Sequence, residues 1–178
     1  YGGDKAIFGY GKLADNTRVS TTNLVSNSGV VSSDVTGVGT VRNYLAAAGY
    51  GGDKAIFGYG DAAPATSITN LVSSSGVVAT DTTGVGTVRM GLAAAGYGGD
   101  KAIFGYGDPG ALSMTNLVSS SGVVATDTSG VGTGRSNLAA ASYGSDKIIF
   151  GYGYAGSVRS MTNLVSNTGV VASDVSGV

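Results

Sequence analysis

Four aspartates, Asp34, Asp81, Asp127 and Asp174, occupy matching positions along a chain of 178 residues. Each lies among serines and threonines and is followed shortly by glycine. An all-oxygen set of this kind suits Ca²⁺. Each copy offers a single carboxylate without EF-hand spacing, so a metal site needs several copies to converge. The favoured reading is an Asx-type turn, with no metal bound. Paired carboxylates can also cleave glycosides. Here all the acidic residues are aspartates and the recurring ones are regular parts of the repeat, whereas catalysis needs individually distinct groups. No catalytic residue and no cofactor are expected, and the chain has no Cys, His, Trp, Glu or Gln.

Three further residue types recur. Arg42, Arg89 and Arg135 have the five fixed donors needed to bind an anion or to tie loops together through backbone carbonyls; the structural role is preferred. Asp4-Lys5, Asp53-Lys54, Asp100-Lys101 and Asp146-Lys147 read as polar hairpin turns, with Asp accepting from its own backbone. Tyr10, Tyr59, Tyr106 and Tyr152 sit between glycines. Their rings either stand exposed, as sugar-stacking or interface groups, or pack between sheets with the hydroxyl in water.

The spacing of these landmarks defines the elements that hold them. Asn23 to Arg42, Asn70 to Arg89 and Asn116 to Arg135 are each 19 residues. Arg42 to Phe57, Arg89 to Phe104 and Arg135 to Phe150 are each 15. Only the stretch from Phe to the next Asn varies, through 15, 13, 12 and 13 residues. A core in register tolerates no insertion, whereas a surface loop does. The period of about 47 residues fits a four-stranded propeller blade.

In the second copy, strand one is expected at Leu45–Gly49, a turn at Tyr50–Asp53 and strand two at Lys54–Tyr59. A variable loop follows at Gly60–Ser67, then strand three at Ile68–Ser73, a turn at Ser74–Gly76 and strand four at Val77–Asp81. Thr82–Arg89 crosses to the next blade. The expected fold is an all-β propeller, or an arc of one, with four blades of which the first lacks strand one. A parallel β-solenoid is the alternative and fits the hairpin-rich pattern badly. The repeats run approximately 1–42, 43–89, 90–135 and 136–178. The chain does not begin with Met and falls about ten residues short of four full repeats, so it reads as a piece of something larger.

The loops between strands two and three are the strongest candidates for recognition. They run Lys12–Ser20, Asp61–Ser67, Asp108–Ser113 and Tyr154–Ser160, and they differ in length and side chain where the rest of each copy is nearly constant. Lys12, Asp15, Asn16, Arg18, Asp61, Asp108, Tyr154 and Arg159 are the candidate contacts there, together with the four glycine-flanked tyrosines.

Composition narrows the partners. Net charge is −1, and no basic stripe is present to hold phosphates, so nucleic acid is not expected. No apolar run reaches the length of a membrane span.

Arg89–Gly107, reading RMGLAAAGYGGDKAIFGYG, and Thr69–Gly86, reading TNLVSSSGVVATDTTGVG, resemble kelch-type propeller repeats. An Arg precedes a small apolar strand, and a glycine turn leads into a second strand whose terminal Gly-Gly stands here as Gly58-Tyr59-Gly60. The family's Trp after the turn and its Tyr-Asp pair on strand three have no counterpart. Similar glycine- and alanine-rich kelch-like repeats occur in bacteriophage virion and tail proteins and in bacterial surface proteins. The resemblance implies an extracellular or virion protein that recognises a cell-surface glycan or protein, or that serves as a structural subunit beside other parts of a larger assembly.

Overall fold

A computed structural model describes residues 1–177. It is all-β, with eleven strands in four small antiparallel sheets and no helix among the described residues. The first sheet pairs β1 (Ala6–Lys12) with β2 (Arg18–Val25). The second is β3 (Ala46–Tyr50), β4 (Lys54–Gly58) and β5 (Thr69–Val72), with β4 central. The third is β6 (Ala93–Tyr97), β7 (Lys101–Gly107) and β8 (Leu112–Val118), and the fourth is β9 (Ala139–Tyr143), β10 (Lys147–Gly151) and β11 (Thr162–Val165).

Register repeats from sheet to sheet. Phe57 stands opposite Ala47 and Asn70, Phe104 opposite Ala94 and Asn116, and Phe150 opposite Ala140 and Asn163. Strand one begins and ends a residue later than the sequence suggests. Strand two stops at Gly58 and Gly151 in two copies, because the next residue, Tyr59 or Tyr152, adopts φ of 63° or 64°. A left-handed residue breaks the regular pairing of an extended strand. In β1 and β7 pairing resumes beyond the equivalent tyrosine, after a register shift.

The expected strand four is not a regular strand. Val77–Asp81 and the following Thr82 lie beside β5 and touch it at two isolated bridges, Val72 with Val78 and Thr69 with Thr82. Two residues separate Thr69 from Val72, while three separate Val78 from Thr82, so one residue bulges. The Asn70 side chain fills the break, donating from Nδ2 to the Ala79 carbonyl at 3.0 Å.

The core lies between sheets. Ile56, Phe57, Tyr59, Ile103, Phe104, Tyr106, Ile148 and Phe150 are buried there. Consecutive repeats are also joined backbone to backbone. The Gly2 amide donates to Asp53 O at 2.6 Å, Gly51 to Asp100 O at 2.7 Å and Gly98 to Asp146 O at 2.8 Å. The tight turns therefore form one rim, and the crossovers with the variable loops form the other.

Candidate functional site

The loop rim is built on a fixed backbone frame. Asn43 bridges Asp61, Met90 bridges Asp108 and Ser136 bridges Tyr154, each with reciprocal N–H to carbonyl bonds of 2.7–3.1 Å. A second ladder runs across the repeats, from Gly91 N–H to Tyr44 O at 2.8 Å and from Asn137 N–H to Gly91 O at 2.7 Å. Tyr44 and Asn137 hold φ of 53° on this ladder, and Gly91 holds 59°. Each loop leaves from the same position, and its own side chains decide the rest.

Those side chains differ. In the first loop Lys12, Asp15 and Asn16 are exposed, and Asp15 accepts from the Thr17 amide at 2.9 Å. That bond, with a second from the Thr17 side chain, holds the Asp15 carboxyl below its ordinary range. Arg18 reaches into the next repeat, donating to Asn43 Oδ1 at 3.1 Å and to Asp61 Oδ2 at 2.5 Å. The hydrogen bond from Arg18 is the main reason the Asp61 carboxyl is depressed. Two candidate contacts are thus paired across neighbouring loops. Asp108 accepts from the Ala111 amide at 3.0 Å and shapes its own loop. Tyr154 is half exposed, beside a prominent Val158, and Arg159 donates to Ala155 O at 3.2 Å. Tyr44, also half exposed, belongs to this rim and was missed in the sequence because it precedes strand one rather than lying in a variable loop.

The glycine-flanked tyrosines need correction as ligand contacts. Tyr59 and Tyr106 are fully buried. Their left-handed backbone turns each ring onto the next sheet. Tyr10 meets Phe57, Tyr59 meets Phe104 and Tyr106 meets Phe150, at centroid distances of 5.2, 5.1 and 5.2 Å. The hydroxyls of Tyr10, Tyr59 and Tyr106 donate to the carbonyls of Val38, Val85 and Val131 at 3.0–3.2 Å, rather than to water. Burial pushes the Tyr106 hydroxyl up to about 12, which keeps it a donor. Tyr152 differs from the others in this set, being 55% exposed.

The arginines are buried ties. Arg42 lies 4.2 Å from the Tyr10 ring centroid, Arg89 4.7 Å from Tyr59 and Arg135 4.4 Å from Tyr106. Arg42 donates to Tyr59 O at 2.9 Å, Thr40 O at 3.0 Å and Asn70 Oδ1 at 2.7 Å, and Arg135 repeats the pattern. Arg89 is turned. It bonds Tyr106 O, Met114 O and Asn116 Oδ1 and leaves its buried Nε without a partner.

The recurring aspartates are clasps. Asp81 takes the Asn70 amide at 2.9 Å, the Thr40 hydroxyl at 2.7 Å and the Thr40 N–H at 3.0 Å, so it locks its sheet to the preceding crossover. Asp127 does this to Thr87, and Asp174 to Thr133. Asp34 holds Asn23. The convergence that a calcium site requires does not occur, as no three Asp, Glu, His or Cys residues come together among the described residues.

In the Asp-Lys turns the backbone carbonyl of Asp53, Asp100 or Asp146 accepts from the preceding repeat, while the carboxylate turns to its own lysine at 2.8–2.9 Å. A polar hollow of about 280 Å³ lies at this rim, between Lys5, Lys54, Lys101 and Ser142. Its walls repeat from copy to copy except where Ser142 and Ser145 replace glycines, and its cations at Lys54 and Lys101 are already paired.

The chain matches no protein-family model and none of the curated proteins with which it was compared.

Proposed function

We propose that the four sheets are blades of an open propeller arc, and that the chain is a non-catalytic attachment module recognising a cell-surface glycan or protein through its variable-loop rim. The taper of the sheet contacts supports the arc. At strand one, consecutive sheets come within reach of each other's backbone: Ser142 Oγ donates to Gly96 O at 2.8 Å, and a Cβ on Gly96 would stand 3.2 Å from Gly49 O. At strand two they are held apart by a phenylalanine ring. Beyond strand three they gape, leaving crevices of about 190–220 Å³ between neighbouring sheets, one of them lined by Leu71, Val85 and Val124. Flat sheets packed face to face keep a spacing of about 10 Å throughout; a spacing that widens outward turns each sheet against the last.

The observation that carries the binding role is the loop rim itself. Its backbone bridges recur from copy to copy, while the exposed groups above them change from Lys12 and Asp15 to Tyr154 and Val158. A fixed frame with diverging tips is the arrangement of a recognition surface. A place on a virion appendage, such as a tail fibre, or on a bacterial surface follows from the kelch-like resemblance and is proposed on that basis. The second reading is a structural repeat protein without a ligand, favoured by the continuous hydrogen bonding between repeats. A glycosidase ranks last, since the recurring carboxylates are committed to Thr and Asn partners.

Grafting residues 61–67 in place of 108–113 separates these readings. An attachment module loses or changes binding to cells or a glycan array at an unchanged melting temperature. A ligand-free structural protein shows no binding before the graft and none after it. Glycan hydrolysis abolished by one Asp→Asn change would establish the enzyme.

A further inference from the structure

We propose that the crevice between neighbouring sheets is a binding site for one small apolar group, a single ring or a short branched hydrocarbon, and that the chain carries three such sites. The inference is independent of any ligand on the loop rim, because no residue of a variable loop lines a crevice.

The crevices lie at the three junctions inside the chain, so both walls of each are present. Between the second and third repeats, Leu71 of β5 and Val85 of the crossover stand across from Val123 and Val124 of the next sheet. Leu24, Val38, Val77 and Val78 take these places one junction earlier, and Leu117, Val131, Val170 and Val171 one junction later. Each crevice is closed at its inner end by a glycine. A Cβ on Gly76, Gly122 or Gly169 would fall 2.9, 2.9 or 3.0 Å from a leucine or tyrosine of the preceding repeat, so the sheets meet there. The outer end opens beside Val77, Val123 and Val170, which are 65–66% exposed.

Water gains little in such a space, because it needs about two to four polar partners. The backbone groups along the walls are already spent. Thr69 and Thr82 exchange both N–H to carbonyl bonds, at 3.3 and 2.8 Å, and the Val85 carbonyl accepts from the Tyr59 hydroxyl at 3.2 Å. The Gly122 amide donates to Ser119 O at 2.9 Å. Thr82, Thr83 and Ser121 bring hydroxyls to the walls but are themselves exposed. A sugar would leave its own hydroxyls unpaired here, at a cost an apolar guest does not meet.

Volume sets the size of that guest. The three crevices hold about 190, 220 and 210 Å³ in chain order. An apolar cavity of about 150 Å³ takes up benzene, whereas drug-sized ligands fill clefts of about 300–1,000 Å³. Each site therefore suits a ring-sized group and is too small for a peptide segment.

The test titrates the 178-residue chain with benzene and reads the methyl NMR signals of Leu and Val. Saturable shifts are expected at all three crevices, with a dissociation constant of about 1 mM. Pyrazine has the same ring shape and two nitrogens that would go unpaired, and should bind at least about tenfold more weakly. Val85→Phe fills the middle crevice and should abolish the response of Leu71 and Val124, while Leu24 and Leu117 still respond. Val85→Thr keeps the volume and makes the wall polar. It should weaken the middle site alone, and it serves in place of Val85→Phe should the larger ring disturb the fold. Shifts that rise without saturating, that pyrazine reproduces equally, or that persist at Leu71 in Val85→Phe overturn the proposal. So do crevice shifts that grow with protein concentration in the absence of benzene, which would make a second copy the occupant.

Discussion

Phe104 lies so close over Gly58 that a Cβ on the glycine would stand 2.6 Å from the ring's Cζ. The next sheet can approach only because that position has no side chain. Gly58→Ala and Gly105→Ala should each destabilise the protein by about 1–3 kcal/mol, the usual cost of overpacking a close contact. Gly151→Ala, whose Cβ meets only Thr162 at 3.5 Å, should be near neutral. Urea unfolding of the three variants provides the comparison.

The ring side of the same contact is equally position-dependent. Phe104→Ala empties a fully buried site between two sheets and should cost about 3–5 kcal/mol. Phe8→Ala changes the same residue of the repeat where it is mostly exposed, and should stay within about 0.5 kcal/mol. Thermal melts of the two variants would read the difference.

Arg89 serves three acceptors, Tyr106 O, Met114 O and Asn116 Oδ1, from a fully buried position. Arg89→Met keeps much of the stem and removes the donors, so buried acceptors lose their partners at about 1–3 kcal/mol each. Arg89→Lys should recover only part of the loss, because one ammonium cannot span the planar fork. Denaturant midpoints of the two variants would rank them.

Acid should loosen the clasps. Burial raises the carboxyls of Asp81, Asp127 and Asp174, but the bonds each receives from Thr and Asn outweigh it and hold them below 3.8. A depressed folded value adds stability that is complete above the unfolded value and is lost as pH falls through the folded one. The urea midpoint should therefore vary little on account of these groups at neutral pH and drop below about pH 4. Asp81→Asn should lower the midpoint at neutral pH and flatten the acid limb.

Much of this was legible in order of residues. The invariant 19- and 15-residue intervals marked the sheets, the hairpins and the one tolerant connection. The arginines read as structural ties, because a residue repeated at fixed spacing before each small apolar strand serves the repeat. Strand four misled, since a β-branched run after a tight turn, Val77-Val78 with Thr80, resembles a strand, while the side chain of Asn70, three-dimensionally adjacent, takes a carbonyl the ladder needs. The tyrosines stayed ambiguous for a related reason. Flanking glycines are consistent with an exposed ring and equally with a left-handed residue that swings it inward.

The chain's own order of residues settled the class of structure, the period and the place where variation is allowed, because those follow from periodic apolarity and turn chemistry acting over a few residues. Only the folded arrangement decided which groups remain available. Tyr59 and Tyr152 have the same neighbours in sequence, yet one is sealed beneath Phe104 and the other stands in solvent. Burial is set by what packs from the next sheet, about a full repeat away along the chain, and no local signal carries it.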